Sequence, residues 1–327
     1  MTARAFVLAA GFGTRLRPLT LHRPKPLVPV CGVPMLAYAL ALVRRHGIDR
    51  AVVNAHYLAD QLEAWRGTHE GVEVDVVVEA PEILGTGGGL RNVRDRLAPR
   101  FAVVNADILC DVDLSALLDA VPDGGGAMAL RPHEVERYGV VAADSTGTIV
   151  ELTTVASTSP EGPVARDTHF TGVHALHRDA LERVPDGFAC IVRTAYKTLV
   201  PERRVRGVRH DGTWLDVGDP AAYLEANLTA LRTTLPLPLD PFPRAAYAKG
   251  GRGERGRTEA EVEGTAWVGR GARVANTRLQ DAVVGQDASV ASGAVLTRCV
   301  VWDGVEVPPG RWTDGIWHDG GWHPLAT

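Results

Sequence analysis

For about its first 230 residues the chain alternates short apolar runs with segments whose apolar positions recur at helical spacing. Residues 6–10, 51–54, 72–79 and 101–105 are apolar runs of strand length bounded by turn residues. Residues 34–46, 58–65 and 88–97 read as helices between them. Pro34 and Gly47 stand where a helix starts and stops. Two further helices are expected over 189–200 and 221–231. This alternation predicts βαβ units, hence an α/β, Rossmann-like and mostly parallel sheet.

After Leu231 the pattern changes. Residues 235–243 are rich in proline and 249–257 in glycine and arginine, the composition of a linker. Beyond them apolar residues recur every six positions: Val262, Val268 and Val274, then Val284, Val290 and Leu296, then Val301 and Val307. Alanines keep the same period at Ala260, Ala266 and Ala272 and again at Ala282, Ala288 and Ala294. A six-residue period predicts a left-handed parallel β-helix of about two and a half coils. The expected organisation is therefore a domain over 1–234, a linker over 235–258, and a hexapeptide-repeat β-helix with its tail over 259–327.

Length supports two domains, since 327 residues exceed one ordinary core. The four cysteines, Cys31, Cys110, Cys190 and Cys299, lack the spacing of a zinc site or disulfide framework, so buried thiols in a reducing cytoplasm are expected. No apolar run is long enough for a membrane helix, which predicts a protein with no membrane partner. A pI near 6.3 without aromatic-interleaved basic patches argues against nucleic acid.

Charge is uneven. The first acidic residue is Asp49, although the preceding segment carries Arg4, Arg15, Arg17, Arg23, Lys25, Arg44 and Arg45 in a chain of net charge −4. Only Lys25, Lys197 and Lys249 of the 35 basic residues are lysines, so Lys25 marks a position where a compact ammonium matters. It follows a glycine loop. Gly11 and Gly13 let backbone N–H groups approach an anion, and Pro24, Pro26 and Pro29 stiffen the strip that carries Lys25. The loop lacks the third glycine of a dinucleotide fingerprint and the Gly-Lys-Ser/Thr of a P-loop. Taken alone it is no more than a turn.

The combined pattern is more specific. Leu8-Ala-Ala-Gly-Phe-Gly-Thr-Arg-Leu-Arg-Pro-Leu-Thr20, then Pro24-Lys-Pro-Leu-Val-Pro-Val30, then Gly32-Val-Pro34 resembles the signature of the sugar-1-phosphate nucleotidyltransferases. Val53-Asn-Ala-His-Tyr57, Leu84-Gly-Thr-Gly-Gly-Gly89, Val104-Asn-Ala-Asp107 and Trp214-Leu-Asp-Val-Gly-Asp-Pro220 extend the resemblance over about 230 residues. Within the family it is most similar to N-acetylmuramate-1-phosphate uridylyltransferases and mannose- or heptose-1-phosphate guanylyltransferases.

The resemblance implies a division of labour. Arg15 and Lys25 are the catalytic cations, and Leu8, Ala9, Ala10, Gly11, Gly13 and Thr14 bind the nucleotide with Gly85, Thr86 and Gly87. Mg²⁺ is held by Asp107 and Asp216, in keeping with a hard cation that takes one or two carboxylates and phosphate oxygens. Asp219, before Pro220, reads instead as a helix N-cap. Gly139, Glu151, Thr171 and Gly172 match positions around the sugar. Many relatives carry a Glu-Lys-Pro whose lysine grips the sugar phosphate; here Val150-Glu-Leu-Thr-Thr154 stands in its place. Arg193 and Lys197, four residues apart, are candidates for that grip or are simply two solvated charges.

The expected activity joins a nucleoside triphosphate, GTP or UTP, to a sugar-1-phosphate or a similar cyclitol phosphate. A non-catalytic sugar-nucleotide sensor stands as the alternative. Acyl transfer by the β-helix is disfavoured, because residues 262–307 contain no histidine. The repeat is expected to serve structure or homo-oligomer assembly. Trp302, Trp312, Trp317 and Trp322 suggest a cap or subunit surface, and His318 and His323 are expected at the surface.

Overall fold

The computed structural model describes residues 2–132, 134–232, 237–239, 245–249 and 258–325. The chain divides into two compact units, one of Met1–Phe12 and Ala39–Trp214 and the other of Gly13–Tyr38 and Leu215–Thr327.

The first unit is built on an 11-stranded mixed sheet. Strand β1 (Ala3–Leu8) leads, by way of helix α1 (Met35–Arg45), to β2 (Arg50–Ala55), and β3 (Val72–Val78) follows. Helix α2 (Gly85–Asn92) then precedes β4 (Leu97–Asn105). These four strands are parallel in the order β4-β1-β2-β3. Buried side by side in the sheet, β1 and β4 read as apolar runs over residues 5–8 and 101–104, with Phe6, Val7, Phe101 and Val103 wholly buried. Beyond β4 the sheet continues antiparallel. Strand β5 (Gly126–Pro132) pairs with the long β6 (Val164–His177), which also lines β4, and β7 (Val205–Arg209) runs parallel to β5.

Two helices depart from expectation. The segment expected as a helix over 88–97 starts earlier: the glycine cluster itself forms the first turns of α2. Residues 189–200 form a π-helical turn at Val192–Tyr196 followed by a short helix at Lys197–Leu199. Tyr196, in that turn, is wholly buried and shares a 2.7 Å hydrogen bond with Nδ1 of His174 on β6.

Burial pushes the His174 pKa down to about 3, whereas an unfolded histidine titrates near ~6.5. The folded state therefore binds fewer protons than the unfolded chain below that pH. The associated stability is whole above pH ~6.5 and is lost as pH falls toward 3, at about 1.4 kcal/mol per unit. Urea unfolding at pH 7.5 and 5 should lose about 2 kcal/mol from this group, and His174→Gln should flatten the slope by one proton. An unchanged slope in the variant would assign it elsewhere.

In the second unit α3 (Pro220–Arg232) accompanies four parallel strands, β8 (Thr258–Gly269), β9 (Arg273–Val284), β10 (Val295–Val301) and β11 (Arg311–His318). Every apolar position of the six-residue period lies in one core, from Val262 and Val268 to Val301 and Val307. The coils are shorter than three full hexapeptides. Leu279 faces Leu296 and Leu296 faces Trp312, steps of 17 and 16 residues. Both ends of the stack are closed by antiparallel strands, Ala245–Lys249 on β8 and β12 (Gly321–Pro324) on β11, which blunts exposed edges. Much of the expected 235–258 linker lies outside the described residues; Ala245–Lys249 within it is a strand.

The tryptophan tail separates into two groups. Trp312, Trp317 and Trp322 form an aromatic cluster with ring centroids 4.8 to 5.8 Å apart. Trp302 is interior, only 1% exposed. His318, expected at the surface, is buried with its ring 5.6 Å from that of Trp302. The thiols of Cys31, Cys110 and Cys299 are buried, which pushes each up to about 12 and leaves them inert hydrophobes. Among the described residues no helix is long and apolar enough to cross a membrane.

Candidate active site

In an open parallel sheet, ligands bind beyond the carboxyl ends of strands where the strand order reverses. In the first unit that place is between β1 and β4, because the chain moves from β1 outward to β2 and β3 and then returns to β4. The ends of the two strands are joined there by Ala106 N–H donating to Leu8 O at 3.0 Å. Ala9 and Ala10 follow Leu8 with side chains too small to obstruct an anion, and Gly11 faces open space. Asp107 lies just past β4, half-buried.

A buried polar chain fixes this loop. Ala9 N–H donates to Asn54 Oδ1 at 2.8 Å, Asn54 Nδ2 donates to Glu79 Oε1 at 2.8 Å, and Glu79 Oε2 accepts from Leu84 N–H at 2.7 Å. Asn54 is 3% and Glu79 2% exposed, so each acts away from water, where an unpaired polar group is costly. The chain connects the β1 loop to the start of the glycine cluster. Neither residue was a sequence candidate; the available signal was a polar residue ending each of two apolar strands.

The same network explains part of the glycine cluster. A Cβ at Gly89 would lie 2.5 Å from Glu79 Oε1, and one at Gly87 would lie 3.0 Å from Ile191 N. A Cβ at Gly88 would overlap Gly187 O. The cluster is stitched to that neighbouring segment: Gly87 N–H donates to Ala189 O at 2.8 Å, Ala189 N–H to Leu84 O at 2.9 Å, and Ile191 N–H to Thr86 Oγ1 at 3.0 Å. Gly85 adopts φ +70°, where glycine is favoured.

Near Asp107, β6 breaks register between Phe170 and His174. The bulge brings Gly172 (φ +87°) so close to β4 that a Cβ would meet Asn105 Nδ2 at 2.8 Å and Ile108 Cδ1 at 2.9 Å. Asn105 Oδ1 is buried and has no hydrogen-bond partner among the described residues. Thr171, in the same bulge, is buried and donates its hydroxyl to Ala129 O at 3.0 Å.

Beside the bulge is an aromatic group. His169 stacks on Tyr138 at 4.7 Å, and Trp214 meets both rings edge-on at 5.1 Å while donating Nε1–H to Thr171 O. Gly139 follows Tyr138 with φ +86°. Glu151 is paired with Arg166 at 2.9 Å, and Leu152 beside it is in the core at 1% exposure. Arg193 and Lys197 are both exposed.

In the second unit, Gly13 takes φ +62° at the start of the turn Thr14–Leu16. A Cβ there would lie 3.0 Å from Thr20 Cγ2 and 3.1 Å from Lys25 Cβ, while Thr20 Oγ1 donates to Gly13 O at 2.8 Å. Lys25 opens the turn Lys25–Leu27 and is only 8% exposed. Arg15 Nη1 and Asp216 Oδ2 each lie 3.4 Å from the position a Gly218 Cβ would take, so both charges border Gly218 at ordinary contact distance. Asp219 caps α3, accepting from Ala222 N–H at 2.9 Å.

A family model described as nucleotidyl transferase matches residues 4–233. The chain belongs to that family. It is 30% identical over 315 residues to a mannose-1-phosphate guanylyltransferase of Mycobacterium tuberculosis, covering 94% of this chain and 81% of the relative. It is 26% identical over 336 residues to a UTP–glucose-1-phosphate uridylyltransferase of Synechocystis sp., covering 94% and 84%. Among solved structures, HddC from Yersinia pseudotuberculosis superposes with a TM-score of 0.56 at 22% identity, over 70% of this chain and 99% of HddC, which supports the fold. The nucleotidyltransferase relatives identify the chain as an enzyme of sugar-1-phosphate nucleotidyl transfer.

Proposed function

We propose that this nucleotidyltransferase transfers GMP from GTP to a hexose-1-phosphate, with mannose-1-phosphate the first candidate, and releases pyrophosphate. The observation that carries this reading is the match to the M. tuberculosis guanylyltransferase over 94% of the chain, a share that reaches into the C-terminal coils. UTP is the second reading, favoured by equal coverage against the uridylyltransferase.

Both reactants are anions, so the work is charge neutralisation and positioning. An oxygen of the acceptor phosphate attacks the α-phosphorus in line; the new O–P bond forms as the bond to pyrophosphate breaks. In this reading the amides after Leu8 cradle the triphosphate, and Arg15 and Lys25 stabilise its charge and that of the departing pyrophosphate. Glu151 and the Gly139 and Thr171–Gly172 backbone orient the sugar. Arg193 and Lys197 are offered as the phosphate grip, since buried Leu152 supplies no cation.

The donor set suits magnesium. Asp107 and the orphaned Oδ1 of Asn105 are hard oxygen donors, and among the described residues no group of three His, Cys, Asp or Glu could cage a metal alone. That fits a cation that relies on one or two carboxylates and on substrate oxygens, with Asp107 and Asp216 as its proposed ligands. When bound, Mg²⁺ supplies positive charge to the phosphate oxygens.

Pyrophosphate release should be measured with GTP and UTP against mannose, glucose, N-acetylmuramate, heptose and cyclitol phosphates. Release confined to GTP with mannose-1-phosphate is the expected result. Release confined to UTP would overturn the base assignment. Tight sugar-nucleotide binding without turnover on any pair would replace the enzyme by a sensor.

A further inference from the structure

We propose that Tyr223 and Trp302 are positioning residues for the Lys25 segment, so that the C-terminal coils take part in turnover; this rests on the nucleotidyltransferase reading of Lys25. The segment that carries Lys25 belongs to the same compact unit as α3 and the coils. Within that unit it is held at four points.

Arg23 lies over the Trp302 ring at 4.5 Å and reaches Asp319 at 3.4 Å. Pro29 O accepts from Tyr223 Oη at 2.6 Å. Cys31 N–H donates to Asn227 Oδ1 at 2.8 Å, and Asn227 Nδ2 donates in turn to Tyr223 O. Gly32, at φ +70°, sits so close to Trp267 that a Cβ would overlap its ring. Tyr223, Asn227, Trp267 and Trp302 are all at most 1% exposed.

The Tyr223 hydroxyl is the hub. It accepts from Trp302 Nε1–H at 3.0 Å and uses its single proton on Pro29 O. Proline has no N–H, so this carbonyl is the only backbone hydrogen-bonding group through which Pro29 can be fixed. Lys25 lies between Arg23 and Pro29, in a turn whose own bonds are local: Leu27 N–H to Pro24 O and Val28 N–H to Lys25 O. The longer-range contacts on either side of this turn are those at Arg23 and Pro29, and both lead to Trp302, which follows β10.

Ordinary core packing would give the same burial, so the test separates local positioning from general stability. In the full chain, Tyr223→Phe keeps the ring and leaves Pro29 O and the Trp302 N–H without their partner. Amide hydrogen exchange at Leu27, Val28 and Cys31 should rise at least about tenfold, with exchange in β8 to β10 unchanged, on the scale of one buried hydrogen bond. The turnover number should fall by about the same factor while KM for the sugar phosphate holds. Trp302→Phe, which spares the bond to Pro29 O, should show a smaller effect of the same pattern and serves if Tyr223→Phe fails to fold. Unchanged exchange and turnover in both variants would overturn the proposal, as would exchange that rises evenly over the whole unit. Absence of turnover in the parent enzyme on every nucleotide and sugar-phosphate pair would count against the nucleotidyltransferase reading; the exchange rates then decide alone whether the hydroxyl orders the segment.

Discussion

Lys25→Ala is expected to lower turnover by about a hundredfold or more, the scale of removing one preorganised charge-stabilising donor. The segment is built to hold an ammonium still. Pro24 and Pro26 flank Lys25 and are buried, and Lys25 itself is only 8% exposed, so little water screens its charge. The composition points the same way, since 32 of the 35 basic residues are arginine and this one is not. Lys25→Arg should therefore fail to restore turnover, because a planar fork cannot replace a compact ammonium in a buried turn. Steady-state pyrophosphate release at saturating Mg²⁺ and both substrates decides the matter. Near-normal turnover in Lys25→Ala would remove the residue from the chemistry.

The parallel sheet and the coils were legible because each rests on a one-dimensional pattern. Runs buried on both faces announce parallel strands, and the six-residue recurrence from Val262 to Val307 announces a repeating core. The loop after β1, the strand-end Asp107 and the capping Asp219 follow from local rules of the same kind. What stayed hidden depends on contacts between residues distant in sequence. Asn54 and Glu79 look like the polar ends of two strands, and only the fold shows that they connect Ala9 to Leu84. Trp302 reads as one of four tail tryptophans until Tyr223 and Arg23 are found against it. His318 was misplaced for the same reason: a polar residue in a late strand gives no sign that Trp302 will cover it.

The glycine cluster shows how one composition can serve two causes, and Gly88→Ala distinguishes them. In the sequence, the family resemblance gives Gly85 and Gly87 to the nucleotide, and the expected helix begins only at Gly88. In the fold these glycines open α2, and at Gly88 the added methyl would overlap Gly187 O, a backbone atom that no rotamer change can move aside. Relief requires α2 or the 187–191 segment to shift, and the two are tied by the bonds from Gly87 and to Leu84. Overpacking that forces side-chain and backbone shifts costs about 1–3 kcal/mol, and overlap with a backbone oxygen puts this substitution at the upper end, about 3 kcal/mol. The expected result is a large fall in the urea midpoint of Gly88→Ala, with the preference between GTP and UTP retained by the folded fraction. A variant as stable as the parent but altered in that preference would show that Gly88 is glycine for the sake of the base and not of the packing. Gly85, with its φ of +70°, should lose stability through backbone strain as well, so Gly85→Ala provides a second measure on the same helix.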